Sequence, residues 1–366
     1  MSPFERRTRA CRERLDARGA DALVLFPSRN LYYLTGFSET PGERHLLFVL
    51  PREGTPTVLV PELYGEQVRE ATWVEDVRTW ADDEDPRARL GEVVDDEWTS
   101  VLVDDTMWAR FTQDLRALLP EATFGLASEA LAPLRLRKDD AERDALRRAG
   151  QVADEVVEEV RALGSEAVGM TEDDLAREIA RRLDAAGGSG VSFEPLVGSG
   201  PNGAKPHHAH GTRRIEAGDP VVLDFGTVVD EYPSDQTRTV VFDGEPGARF
   251  REVHEVVREA QAAAVAAVAP GVTAASVDAA ARDVVEAAGY GERFIHRTGH
   301  GVGLDVHEGP YVVAGNDREL EPGMVFSVEP GVYLPGEFGV RIEDLVCVTE
   351  DGCERLNHTD RGWRCP

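Results

Sequence analysis

The segment EAGDPVVLDFG, residues 216–226, returns without a gap as EPGMVFSVEPG at 321–331, an offset of 105 (321 − 216). Glu216 falls on Glu321, Gly218 on Gly323, Gly226 on Gly331, and Asp224 on Glu329. The same apolar strand therefore ends twice in a carboxylate. One acid at a strand end is ordinarily a turn or capping residue. Two at equivalent positions of a duplicated unit point to a site shared between the halves.

A second carboxylate follows each of these. In SDQTRTVVF, Asp235 lies eleven residues after Asp224 (235 − 224), and strand alternation puts it on one face with Thr237 and Thr239. In GVRIEDLVCV, Glu343 lies fourteen after Glu329 (343 − 329), on one face with Arg341 and Leu345. Either alone reads as a solvent-facing position on a half-exposed strand. If the halves pack face to face, the four acids converge, and two carboxylates about 4 Å apart repel by roughly 4 kcal/mol at an effective dielectric of 20. Four together need protons or cations, and divalent metal ions are the simpler answer. A mostly oxygen set with one imidazole suits manganese, cobalt, iron or zinc; structural zinc prefers cysteine and is not indicated.

An imidazole is on offer in RTGHGVGLDVHEGP, residues 297–310, where His300 and His307 lie seven apart (307 − 300) among Gly299, Gly301 and Gly303, a stretch that alone reads equally as a surface turn with incidental histidines. Clustered glycines suit neither a helix nor an ordinary strand, so something approaches this backbone closely. His300 can be the single nitrogen ligand, with the glycines letting the main chain pass close to metals and substrate. His307 then remains unliganded and available to donate a hydrogen bond to a carbonyl or oxyanion.

Length and composition bound the rest. A chain of 366 residues exceeds one small core, so two domains are the default. No apolar run approaches a membrane span, and MSPFERRTRACRERL lacks the apolar centre of a secretory signal, which predicts a soluble cytoplasmic protein. Cys11, Cys347, Cys353 and Cys365 show no zinc-like spacing and read as free thiols. With 68 acidic against 40 basic residues the formal charge is −28, which argues against nucleic acid as a partner. Lys138 and Lys205 are the only lysines. A uniformly acidic, lysine-poor surface resembles proteins of salt-loving organisms, where molar salt screens self-repulsion.

Along the chain, FERRTRACRERLDARG reads as helix, ADALVLF as strand, and HLLFVLPREGTPTVLVP as two strands about a turn; SVLVDD, MWARFTQDLRALLP and EATFGLAS continue as strand, helix and strand. This α/β domain ends near residue 131. A long helix then begins, with Leu146, Ala149, Val152, Ala153, Val156 and Val160 at helical spacing. TEDDLAREIARRLDAAG, capped by Thr171, and an alanine-rich stretch from about Arg249 to Val268 are further helices.

These motifs resemble those of the pita-bread metallopeptidases, the group of aminopeptidase P, prolidase, methionine aminopeptidase and the non-metal enzyme creatinase. LDFG, SDQTRT, GHGVGLDVHE, SVEPG and RIED stand in the family's order and at closely similar spacings. The resemblance covers residues 140–366, and the domain before it, including NLYYLTGF, is similar to the N-terminal domain of the proline-specific branch. It implies an α/β creatinase-like N-terminal domain (1–130) and an α+β pita-bread catalytic domain (131–366) with an internal pseudo-twofold repeat.

The resemblance further implies two divalent metal ions, manganese being expected and cobalt, zinc or iron the alternatives. Asp224 would ligate one metal, Asp235 and Glu343 would bridge both, and His300 and Glu329 would complete the second. A bridging water or hydroxide would be the nucleophile and Glu329 a proton shuttle to the leaving amine. His207, in GPNGAKPHHAH, would line the substrate pocket, Arg341 would tie down a carboxylate or the substrate, and His296 would stand behind the ligands.

The activity expected is hydrolysis of the Xaa-Pro bond with release of the N-terminal residue, as an Xaa-Pro aminopeptidase, with Xaa-Pro dipeptidase (prolidase) the alternative. Methionine aminopeptidase generally lacks the large N-terminal domain and the PHH loop, creatinase does not need the metal set, and non-enzymatic peptide-binding modules of this fold have usually lost ligands. Archaeal prolidases carry an arginine shortly after VHE that holds the free carboxylate of a dipeptide; here that place is Tyr311, which predicts cleavage of longer peptides too. The expected partners are a peptide with proline at its second position and a second copy of the chain in a homodimer, with no nucleic acid and no membrane.

Overall fold

The computed structural model describes residues 1–366, in two compact units, Met1–Arg135 and Leu136–Pro366. Helix Ser128–Arg135 stays with the first unit, past the 130/131 boundary read from the sequence.

The first unit opens on helix Pro3–Arg18, whose first turn is closed by a capping box between Ser2 and Glu5 and whose end is marked by Gly19 at φ 67°. One mixed sheet follows, in the order Asp76–Trp80, Thr57–Pro61, Leu47–Pro51, Ala22–Leu25, Ser100–Val103, Thr123–Leu126. Ala22–Leu25 is buried along its whole length, as its unbroken apolar run requires of a central strand. The sequence reading anticipated five of these strands and passed over Asp76–Trp80, whose alternating charges conceal it.

In the second unit the duplication becomes architecture. Val221–Phe225 is the middle strand between Gln236–Val240 and Leu196–Ser199. Val325–Val328 is the middle of five, in the order Glu308–Val312, Gly299–Gly301, Val325–Val328, Asp344–Val348, Cys353–Arg355. The repeated glycines that lead into the two strands share the left-handed conformation, Gly218 at φ 85° and Gly323 at φ 90°.

Two helices back each sheet. Asp140–Arg161 and Glu172–Ala185 pack Val156, Val160, Leu175, Ile179 and Leu183 onto Val221, Leu223 and Phe225. Ala248–Ala267 and Ala274–Ala287 pack Phe250, Val253, Val257, Val277 and Val285 onto Phe326, Val328, Val346 and Val348. Each fully buried aliphatic or aromatic side chain contributes about 1.5–3 kcal/mol, so these layers fix which face of each sheet points to its helices. Because side chains alternate along a strand, the opposite face is fixed as well. Helix Ala274–Ala287 escaped the sequence reading because its apolar positions are mostly alanine, a weak periodic signal.

Candidate metal centre and substrate pocket

Asp224 sits between Leu223 and Phe225, which face the helices, so its carboxylate points to the other side. Glu329 directly follows Val328, and Asp235 and Glu343 directly precede strands Gln236–Val240 and Asp344–Val348. The two sheets meet here: Glu343 N donates to Thr237 O at 3.1 Å, and Thr237 Oγ1 donates to Glu343 Oε2 at 2.6 Å. All four acids line one cavity of about 580 Å³, together with His300, His307, His207, His296 and Arg341.

His300 reaches it from strand Gly299–Gly301, and the glycines there have a different purpose from the one read in the sequence. A Cβ on Gly299 would stand 1.8 Å from Ser327 O, and one on Gly301 would stand 1.9 Å from Gly309 O. The close approach at both positions is made by the backbone of neighbouring strands. His300 is thereby pinned; its N–H donates to Ser327 Oγ at 3.1 Å, and that hydroxyl donates to Glu329 Oε1 at 3.1 Å.

Asp235, His300 and Glu343 offer ligand atoms all within 4.8 Å of one another, and all three are buried. His300 Nε2 lies 3.6 Å from Asp235 Oδ2 and 3.3 Å from Glu329 Oε1. Burial, then the charges of Asp224 and Glu329, push Asp235 well above the usual carboxylate range. Burial, then Asp235, Glu329 and Asp224, do the same to Glu343, and burial carries Glu329 up to about 7 against the pull of Arg341. Burial, with His307 beside it, lowers His300 to about 3, so its imidazole is neutral and its lone pair is free. Two buried carboxylate oxygens, Asp224 Oδ1 and Glu343 Oε1, have no hydrogen-bond partner. Unpartnered acceptors, crowded acids and a neutral imidazole are the donor set of a divalent cation.

Asp224 stands apart from the tight triad because Arg341 holds it: Nη2 donates to Asp224 Oδ2, while Nη1 donates to Tyr333 OH at 2.9 Å and to Pro206 O at 3.3 Å, and Nε to Thr237 Oγ1 at 3.1 Å. Arg341 thus ties the Asp224 carboxylate to the wall of the cavity. Tyr333, pushed up to about 12 by burial, also meets His296 Nε2 at 2.9 Å. His296 is lowered to about 4 by burial and Arg341 and lies behind the acids. The rings of His300 and His307 are 4.0 Å apart, and burial followed by Arg297 lowers His307. His207 is exposed on the cavity wall, and its neighbours His208 and His210, which line the same cavity, are bonded to other acids: His208 Nε2 meets Glu172 Oε2 at 2.8 Å, and His210 bridges Asp173 and Glu194.

The sequence reading overlooked Arg297, which lines the same cavity with its guanidinium 4.4 Å from the centre of the Tyr311 ring. The signal was present in the glycine-rich stretch, an arginine three residues before His300, but only the fold shows that it meets Tyr311.

A family model described as metallopeptidase family M24 matches residues 144–350, and one described as the creatinase/prolidase N-terminal domain matches residues 7–137. The chain belongs to metallopeptidase family M24. Among M24 relatives, a probable dipeptidase PepE of Mycobacterium tuberculosis is 44% identical over 347 residues, 93% of this chain and 90% of that protein. An Xaa-Pro dipeptidase of Lactobacillus helveticus is 40% identical over 337 residues, 90% of each chain. A solved structure of recombinant prolidase from Thermococcus sibiricus is 38% identical with a TM-score of 0.94, covering 100% of this chain and 99% of that one. The architecture is accordingly the pita-bread fold preceded by a creatinase N-terminal domain. No helix is long and apolar enough to cross a membrane.

Proposed function

We propose that this M24 peptidase hydrolyses Xaa-Pro dipeptides with two divalent ions, Mn²⁺ foremost, held by Asp224, Asp235, His300, Glu329 and Glu343. Bound there, the ions would supply Lewis acidity, acidifying a water and polarising the scissile carbonyl. The residues of the chain do the rest. Neutral His307 donates an N–H toward the carbonyl oxygen as it gains charge. Glu329 holds the proton that the proline nitrogen takes as it leaves. Arg341 keeps Asp224 in place through the hydrogen bond from Nη2, and His207 closes the wall against the substrate.

The observation that carries the dipeptide reading is Arg297. Arg213 is paired with Asp219 and Arg341 with Asp224, whereas Arg297 lines the cavity, makes no ion pair, and has its guanidinium over the Tyr311 ring, 4.4 Å from the ring centre. A planar guanidinium on an aromatic face is fixed in place and keeps its N–H edge open to a carboxylate. Tyr311 therefore supports the cation that the sequence reading found missing, and the preference for an aminopeptidase gives way to a dipeptidase. The activities named for the relatives weigh the same way.

A charge-assisted hydrogen bond to a free carboxylate is worth about 1.5–3 kcal/mol, roughly 10- to 150-fold in kcat/KM. Met-Pro should be preferred to its C-terminally extended analogue by at least that factor, and Arg297→Gln should erase the preference. Equal kcat/KM for the two peptides in the unaltered enzyme would refute the dipeptide reading.

A further inference from the structure

Glu172 is fully buried, at 0% exposure, outside the metal centre, and, unlike the equally buried Asp344 and Asp278, it has no arginine against it. It occupies the first turn of helix Glu172–Ala185, where an acid normally serves the helix dipole or the cap. Here the cap is complete without it. Thr171 Oγ1 accepts from Asp174 N at 3.0 Å, and Asp174 Oδ2 accepts from Thr171 N at 3.2 Å. The Glu172 carboxylate turns instead into the chain that runs from strand Leu196–Ser199 to His207.

There it collects donors from three points of that segment. Ser199 N and Ser199 Oγ donate to Oε1 at 2.8 and 2.7 Å, Asn202 Nδ2 lies 3.1 and 3.2 Å from the two oxygens, and His208 Nε2 lies 2.8 Å from Oε2. Burial raises its pKa, yet these hydrogen bonds prevail and hold the carboxyl below its ordinary value. Lys205 Nζ extends the network to Asn202 Oδ1 at 2.9 Å, and Arg341 clasps the same segment from the cavity side at Pro206 O. His207 lies between these clamps, flanked by Pro206, which Arg341 holds, and His208, which Glu172 holds. Its own ring is exposed to the cavity, and the structure gives it no hydrogen bond of its own.

From this geometry we infer that Glu172 is the positioning residue that sets where His207 stands over the substrate. The inference rests on the dipeptidase reading above. A buried ionised carboxylate costs several kcal/mol unless fully hydrogen-bonded, and an apolar side chain would cover the helix end at lower cost. What the carboxylate adds is a hub that three separated donors must satisfy together, which leaves the segment a single arrangement.

The test is a double-mutant cycle on the manganese-loaded full chain with an Xaa-Pro dipeptide, using Glu172→Gln, His207→Ala and the pair. A carboxamide presents a donor where the hub needs an acceptor, so Glu172→Gln should lower kcat/KM about 10- to 100-fold with manganese content unchanged. In the His207→Ala background the same substitution should change kcat/KM by less than about twofold, because residues that act as a unit are not additive. Multiplicative losses in the double mutant, or loss of manganese from Glu172→Gln, would overturn the inference. Should Glu172→Gln fail to fold, Asn202→Ala removes one donor outside the cavity lining, and the same non-additivity with His207→Ala is required of it. An unaltered enzyme inactive on Xaa-Pro dipeptides would fail the functional reading itself; an active one with additive losses fails only the role of Glu172.

Discussion

Replacing Glu343 by glutamine should stabilise the metal-free protein and destabilise the metal-loaded one relative to the unaltered chain. Glu343 and Asp235 offer oxygens within 4.8 Å of one another. Two ionised carboxylates at that distance repel by about 3.5 kcal/mol at an effective dielectric of 20. Protonation already relieves part of this, since burial and the neighbouring acids raise both groups well above their ordinary range. Glutamine removes the charge and keeps a carbonyl oxygen for the Thr237 hydroxyl, which donates to Glu343 Oε2 at 2.6 Å. A net gain of about 1–2 kcal/mol without metal is therefore expected, which corresponds to roughly 2–8 °C in Tm for a unit of this size.

With metal the order reverses. An ion at about a thousandfold excess over its Kd stabilises the native state by about 4 kcal/mol, and the variant forgoes most of this because an amide is a poor substitute for a bridging carboxylate. The assay is calorimetry of both proteins after exhaustive chelation and again with MnCl₂. A variant that melts below the unaltered chain in both conditions would show that the Glu343 carboxylate is a structural acceptor whose repulsion has been overestimated. A variant that gains as much as the unaltered chain from Mn²⁺ would remove Glu343 from the ligand set.

The two histidines of the glycine-rich stretch should separate: His307→Ala keeps its metal and loses about 10²- to 10³-fold in turnover, whereas His300→Ala loses metal affinity, both read by metal analysis beside kcat; equal metal loss would reverse the assignment. The charge of −28 should make Tm rise as KCl goes from 0.1 M toward molar, because the screening length shrinks from about 10 to about 3 Å. A flat or falling melting temperature would refute the halophilic reading and leave the metal centre untouched.

Much of the site was legible because it is written in local periods. Alternation along a strand requires only the order of residues, and it put Asp235 on one face with Thr237 and Thr239, and Glu343 on one face with Arg341 and Leu345, before any fold was known. The repeat at an offset of 105 announced two equivalent halves for the same reason. Helix Asp140–Arg161 showed itself through the three-and-four spacing of Leu146, Ala149, Ala153, Val156 and Val160, all of them buried. Ala274–Ala287 and Asp76–Trp80 stayed hidden because alanine contrast and alternating charge give no comparable period.

The rest depends on which distant residue fills the space beside a side chain, and no local pattern carries that. Gly299 and Gly301 are required by the carbonyls of Ser327 and Gly309, which the sequence places up to 28 residues away (327 − 299). Tyr311 looked like the loss of a carboxylate-binding group until the antiparallel pairing of Gly299–Gly301 with Glu308–Val312 brought Arg297 over its ring. Glu172 reads in sequence as a helix-end acid and in the structure as a buried hub for the His207 segment, 35 residues on (207 − 172). The charges, the strand faces and the chemical types of the cavity's side chains follow from the sequence because they are properties of residues and of short runs. The partners of Arg297, Arg341 and Glu172 were decided only when the chain closed on itself, because the energy of a charge depends on its surroundings, and tertiary packing creates those surroundings.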